Sequence, residues 1–239
     1  MPRWNVNGNF SLGNMDTGNI RDMFYVAAPW GSGSWGIQGA TFTSADRKLS
    51  GQRFYCTGNN AYMYGKEERG EWGFVRYIQG DAWGGTHQGP VPWHKPPPLS
   101  ISGKTLTMSL GLYRDTHTFL GSGRHWVMYA INIWVSSPNF PLGRDINHKK
   151  PLVLDLAFFH SGPLNTHISN DAHHYQEAIG TAPVRSWHSQ SFNLSNYINR
   201  ALLHFHLPST DAKVYQVEFL IELVNAEGAA MIDNFHLDY

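Results

Sequence analysis

Between residues 214 and 224 the side chains alternate so regularly that little other than a β-strand fits them. Tyr215, Val217, Phe219, Ile221 and Leu223 fall on one side, and Gln216, Glu218, Leu220 and Glu222 on the other. A period of two is that of a pleated strand with one dry face and one wetter face. The pattern recurs at 72–79, 105–113, 126–135, 152–160, 201–207 and 231–239, with shorter candidates at 35–43 and 52–56. Glycine (24 residues) and proline (13) punctuate the chain throughout, so turns separate many short strands. One short helix is expected at 195–203, with Ser195 as its cap. These signals specify an all-β chain folded as an antiparallel β-sandwich of jelly-roll type. All-β sandwiches reach roughly 200–250 residues as one domain, so residues 1–239 are expected to form one unit. Long connections are expected at 80–99, 136–151 and 162–187, the last rich in histidine.

The alternation can be phased strand by strand. In 126–135, Val127, Tyr129, Ile131, Ile133 and Val135 form the dry set and leave Asn132 and Trp134 outside. In 152–160, Leu152, Leu154, Leu156 and Phe158 turn inward and leave Asp155 and Phe159 outside. In 105–113 the outer set is Thr105, Thr107, Ser109 and Tyr113. If these strands share a sheet with 214–224, one outer face carries Tyr113, Asn132, Trp134, Asp155, Phe159, Glu218 and Glu222. Aromatic rings beside amides and carboxylates suit sugars, whose apolar faces stack on rings while their hydroxyls take directed hydrogen bonds. Trp83 and Trp93, in the 80–99 connection, extend the same surface.

Charge excludes one class of partner. Lysine plus arginine (18) equals aspartate plus glutamate (18), and the longest basic run is His148-Lys149-Lys150. A nucleic-acid binder carries a clustered basic excess, so none is expected. No apolar run approaches the roughly 18 residues of a membrane span. The single cysteine, Cys56, excludes an internal disulfide and reads as a buried, inert strand thiol. The first ten residues lack the basic-then-apolar layout of a secretion signal. The expected setting is extracellular or virion-associated.

The two chain ends carry complementary segments, Asn7-Gly8-Asn9-Phe10 and Ile232-Asp233-Asn234-Phe235. They resemble the segments that open and close calcium-bearing jelly-roll carbohydrate-binding modules. The resemblance implies edge-to-edge pairing of the first and last strands. It also implies a structural calcium with Asp233 as a ligand, and Asn7 and Asn9 supply further oxygens. Ser11 stands where such modules usually place a glutamate.

For catalysis on glycans the candidates are Asp155, Glu218 and Glu222. Glycoside hydrolysis uses two carboxyls, about 5–5.5 Å apart for retention and roughly 6.5–9.5 Å for inversion. Glu218 and Glu222 share a strand face but are four residues apart, roughly 13 Å, so a pair requires Asp155 with one of them. His204 and His206 alternate as metal ligands on a strand can, but no standard zinc or copper motif accompanies them. The leading expectation is polysaccharide or glycan binding through the aromatic and polar sheet face. The alternative is a glycoside hydrolase or polysaccharide lyase using the same face. A third reading is a virion, tail or filament subunit that forms a homo-oligomer, since interfaces enrich tyrosine and tryptophan.

Overall fold

The computed structural model describes residues 2–5, 8–10, 15–16, 26–27, 35–41, 48–81, 94–142, 150–164, 167–168 and 172–239. The longer strands are β1 (Gly36–Thr41), β2 (Gly51–Cys56), β3 (Ala61–Glu67), β4 (Gly73–Gly80), β5 (Thr107–Arg114) and β6 (Trp126–Ser136). They continue with β7 (Leu152–His160), β8 (His173–Ala178), β9 (Trp187–Asn193), β10 (Lys213–Val224) and β11 (Ala226–Asp238). One helix, α1 (Leu194–His204), joins β9 to β10.

Two sheets result. The first is seven-stranded, in the order Met15–Asp16, β2, β3, β11, β5, β9, with Thr118–Phe119 also paired to β11. The second is nine-stranded, in the order His167–Ile168, β8, β7, β6, β10, β4, β1, Val26–Ala27, with Leu99–Ser100 also on β10. All pairs of the longer strands are antiparallel except β7 with β8. The expected sandwich is therefore observed.

The core lies between the sheets, where Val127, Tyr129, Ile131 and Ile133 of β6 meet Leu110 and Leu112 of β5 and Ile232 of β11. An aromatic cluster locks one end: Trp35 stacks on Phe235 at 5.4 Å, and Phe10 lies 5.3 Å from Trp35 and 5.9 Å from Tyr77. Each such ring contributes about 1.5–3 kcal/mol by burial. The chain ends pair as expected. Trp4 N–H donates to Leu237 O (2.8 Å) and Phe235 N–H to Gly8 O (2.8 Å). The Asn5 amide acts as a surrogate strand, donating to Phe235 O (2.6 Å) and accepting from Leu237 N–H (2.7 Å).

Several expectations are corrected. The 201–207 run is not a strand: Ala201–His204 close α1, whose cap is Asn193, accepting from Asn196 N–H at 3.2 Å. Ser195 instead accepts from Leu106 N–H (2.9 Å), tying the helix to β5. His204 and His206 therefore share no strand face. The histidine-rich connection contains a strand, β8, whose residues are mostly polar because it lies near the margin of the sheet, flanked on its outer side, among the described residues, only by the two-residue strand His167–Ile168. Two further strands, β3 and β9, were not anticipated. Tyr215 is half-buried rather than core, because a bulge between Val214 and Gln216 hands its place to Val214. Gly80 makes the bulge possible: its φ is 96°, and a side chain there would meet Tyr215 O at 2.1 Å.

Candidate functional site

The registers bring the expected polar site residues together on the outer face of the nine-stranded sheet. Asn132 on β6 lies opposite Asp155 on β7 and Glu218 on β10, and Asp155 lies opposite Gln176 on β8. Trp134 lies opposite Val153 and Gln216. Glu222 lies opposite Met128 on β6 and Phe74 on β4. The side assigned from alternation is thus right for Asn132, Trp134, Asp155, Glu218 and Glu222.

Their expected exposure is wrong. Trp134 is 8 % exposed, Asp155 2 % and Glu218 0 %, and only Glu222 stays half-buried. Two of the long connections and the short β3–β4 turn supply the cover. Trp134 and Val153 pack with Ala172 and Leu142, while Trp126, Met128, Ala130 and Leu220 pack with Trp72 and Leu164. Trp134 is consequently no open stacking platform; its indole N–H donates to Glu218 at 3.1 Å.

Buried carboxylates must be partnered, and two of the three are. Glu218 takes a 2.6 Å ion pair from Arg76, itself aligned by Gln38 at 2.6 Å, and further hydrogen bonds from Trp134 and Gln216. Burial still pushes its carboxyl above the ordinary range, although Arg76 opposes the shift. Asp155 accepts from Asn132, His174 and Gln176. Burial raises the Asp155 carboxyl, but the His174 charge and these hydrogen bonds outweigh it and hold it below its usual value. The same contact overcomes burial at His174 and raises that imidazole. Glu222 differs. Among the described residues its one hydrogen bond comes from the Trp126 indole at 3.3 Å. Burial, followed by the Asp155 charge, pushes its pKa to about 7.

Other expected site residues lie elsewhere. Tyr113 belongs to β5, in the seven-stranded sheet, where it faces outward beside Trp187 (5.8 Å). Phe159 turns the opposite way from Asp155, because a bulge at Phe158 puts it opposite Tyr129. There it packs on the core beneath Arg114, 4.1 Å away. Trp83, Trp93 and Asn7 lie outside the described residues. Asn9 is exposed, and the Asp233 carboxylate accepts from Asn234 N–H (2.7 Å) and its amide (2.9 Å). Among the described residues no group of three or more His, Cys, Asp or Glu side chains could hold a metal ion. Cys56 is buried, as expected, with its thiol on Phe10 O at 3.2 Å. No helix among the described residues is long and apolar enough to cross a membrane.

Sequence reasoning missed Arg76, Gln38, Trp126, His174 and Gln176. The signal for the last two was the alternation in HHYQEA, where His174 and Gln176 share a side.

No family model matches the sequence, and no curated protein matches it. Solved structures do. A family 12 xyloglucanase from Bacillus licheniformis is similar with a TM-score of 0.56 at 13 % identity, covering 93 % of this chain and 98 % of that one. The family 11 xylanase from Neocallimastix patriciarum gives 0.51 at 10 % identity, covering 94 % and 98 %. A metagenome-derived family 12 endoglucanase gives 0.52 at 16 % identity, covering 95 % and 96 %. The fold is that of these jelly-roll glycoside hydrolases. The shared architecture is the two-sheet sandwich.

Proposed function

We propose that this protein hydrolyses polysaccharide, with Glu222 as the proton donor and Asp155 on the side of the attacking water. The observation that carries the reading is Glu222, a half-buried acid with a pKa of about 7 that shares a sheet face with a carboxylate held ionised. Two acids whose environments push their proton affinities apart divide the acid and base roles between them. The fold shared with the xyloglucanase, xylanase and endoglucanase supports a glycan as substrate.

In this reading the protonated Glu222 gives its proton to the glycosidic oxygen as the C–O bond breaks. Water attacks the anomeric carbon, and the Asp155–His174 pair takes the water's proton. Asp155 and Glu222 are two strands apart (roughly 10 Å) and the register sets Glu222 four residues (roughly 13 Å) farther along, so their backbones are roughly 16 Å apart. That separation is too wide for the close pair that forms a covalent intermediate, so the reading takes the single-displacement form, with both side chains reaching toward a substrate between them. The test is a panel of soluble β-glucans, xylan and xyloglucan assayed for new reducing ends. Glu222→Gln is expected to lower turnover by about 10²–10⁴-fold. A variant as active as the parent overturns the assignment.

A second reading, glycan binding without turnover, is favoured by the neighbours of Glu222. The positions paired with it are Met128 and Phe74, and the oxygens of Glu218 and Asp155 are already engaged. Retention on a polysaccharide without new reducing ends selects this reading. A calcium at the chain ends remains part of the proposal through Asn7, Asn9 and Asp233, since the hydrogen bond from Phe235 N–H to Gly8 O sets the first and last segments side by side.

A further inference from the structure

The outer face of the seven-stranded sheet carries a row of rings that the proposed chemistry does not use. Strand registers place Tyr55 opposite Tyr62, Tyr62 opposite Met231, Met231 opposite Tyr113, and Tyr113 opposite Trp187. The row crosses β2, β3, β11, β5 and β9. Four inter-strand spacings make it about 19 Å long. Side chains on these strands that face the core are Phe54, Met63, Leu112 and Ile232, so the row points away from it. Trp187 is 47 % exposed and the other four are partly exposed. Tyr55 and Tyr62 stack at 4.4 Å with their planes 17° apart. Met231, soft and unbranched, bridges the two ring pairs.

Charges of both signs border the row. Asp115 pairs with Arg185 at 3.1 Å, Tyr64 donates to Glu227 at 2.9 Å, and Arg53 lies over the Tyr55 ring at 5.5 Å. The strip therefore offers flat apolar surface, with hydroxyl groups and charges of both signs beside it. An uncharged chain with apolar faces and lateral hydroxyls matches both the rings and the hydroxyls.

We propose that this strip is a second binding site, which holds an extended, uncharged polysaccharide across the strands on the side of the sandwich opposite Glu222. It keeps a chain attached to the protein independently of whether Glu222 cleaves it, and so does not rest on the catalytic reading.

The test is retardation of the full-length protein in native gels containing hydroxyethyl cellulose, xylan, xyloglucan or, as a charged control, polygalacturonate. The variants are Trp187→Ala, Tyr62→Ala and their combination, alongside Glu222→Gln. At least one neutral polymer is expected to retard the parent and Glu222→Gln equally. Each single ring variant should weaken that retardation about tenfold, and the double variant should abolish it. Melting curves and turnover of a short soluble oligosaccharide should be unchanged in the ring variants. Retardation unaffected by loss of both rings overturns the proposal. So does stronger retardation by polygalacturonate. A parent dimer in sedimentation that dissociates in the double variant, with no polymer binding, assigns the strip to a second copy of the chain instead. Inactivity of the parent with ring-dependent retardation removes only the hydrolase reading.

Discussion

The two outer faces of this sandwich are built from the same alternation and end in opposite states. On the nine-stranded sheet, β4 and β6 are buried at every position. The outer set there is a closed polar layer in which Glu218 and Asp155 are held by Arg76 and His174. On the seven-stranded sheet, β3 alternates buried with partly exposed, and β9 alternates exposed with partly exposed. Its outer set is an open strip of rings. The difference teaches that alternation reports which side a residue takes and leaves open what covers that side. Cover turns carboxylates into a partnered network, because an unpartnered buried charge is too costly. Without cover, rings remain available to a ligand.

The largest test of this contrast removes a charge partner from each face. Arg76→Ala strands the Glu218 carboxylate in the closed layer, and a loss of about 3–5 kcal/mol is expected in urea unfolding. Arg53→Ala, on the open face, should stay within about 0.5 kcal/mol. Equal losses would break the comparison.

Tryptophans give the next test. Trp134→Ala opens a cavity and removes a donor from Glu218, at about 3–5 kcal/mol. Trp187→Ala should cost less than about 1 kcal/mol and act on binding instead. A Trp134→Ala protein that melts like the parent would show that the layer is loosely closed.

A smaller effect depends on pH. The folded pKa of Glu222, about 7, lies above its ordinary 4.5. Its protonated form is therefore favoured by the fold. The carboxyl costs no stability at low pH, and the cost grows as pH rises from about 4.5 through 7. Glu222→Gln should leave the melting temperature unchanged at pH 4 and raise it at pH 8. After discounting for partial exposure, the gain is on the order of 1 kcal/mol. A gain of the same size at both pH values would show that charge is not the cause. The smallest effect concerns the chain ends. If Asn7, Asn9 and Asp233 hold calcium, a chelator should lower the melting temperature by a few degrees; an unmoved melt removes the ion.

Much of the fold was legible before any coordinates. The 152–160 run is β7 residue for residue, and 126–135 misses only the last position of β6. Those runs are long and have one uninterrupted dry side. The errors fall where local pattern is ambiguous. Residues 201–207 alternate briefly but continue a helix, and β9 (WHSQSFN) reads as polar because it edges the sheet with its outer face in water. The site was legible in part. Asn132, Asp155, Glu218 and Glu222 were placed on one face, whereas Arg76 and His174, their charge partners, came from strands whose neighbours could not be read.

By itself, the sequence determined that the chain is a β-sandwich, which side chains each strand turns toward the core, and that its two ends meet. The first two follow from the two-residue period and from short-range steric rules that act along one strand; the third is what the resemblance of Asn7-Gly8-Asn9-Phe10 and Ile232-Asp233-Asn234-Phe235 to paired terminal segments implies. Tertiary structure alone decided that Tyr113 and Trp134 belong to different sheets, that bulges reverse Phe159 and displace Tyr215, and that the Glu218 face is covered. Those outcomes depend on pairings between residues far apart in the chain, and no local pattern encodes which distant segment will supply the partner or the lid.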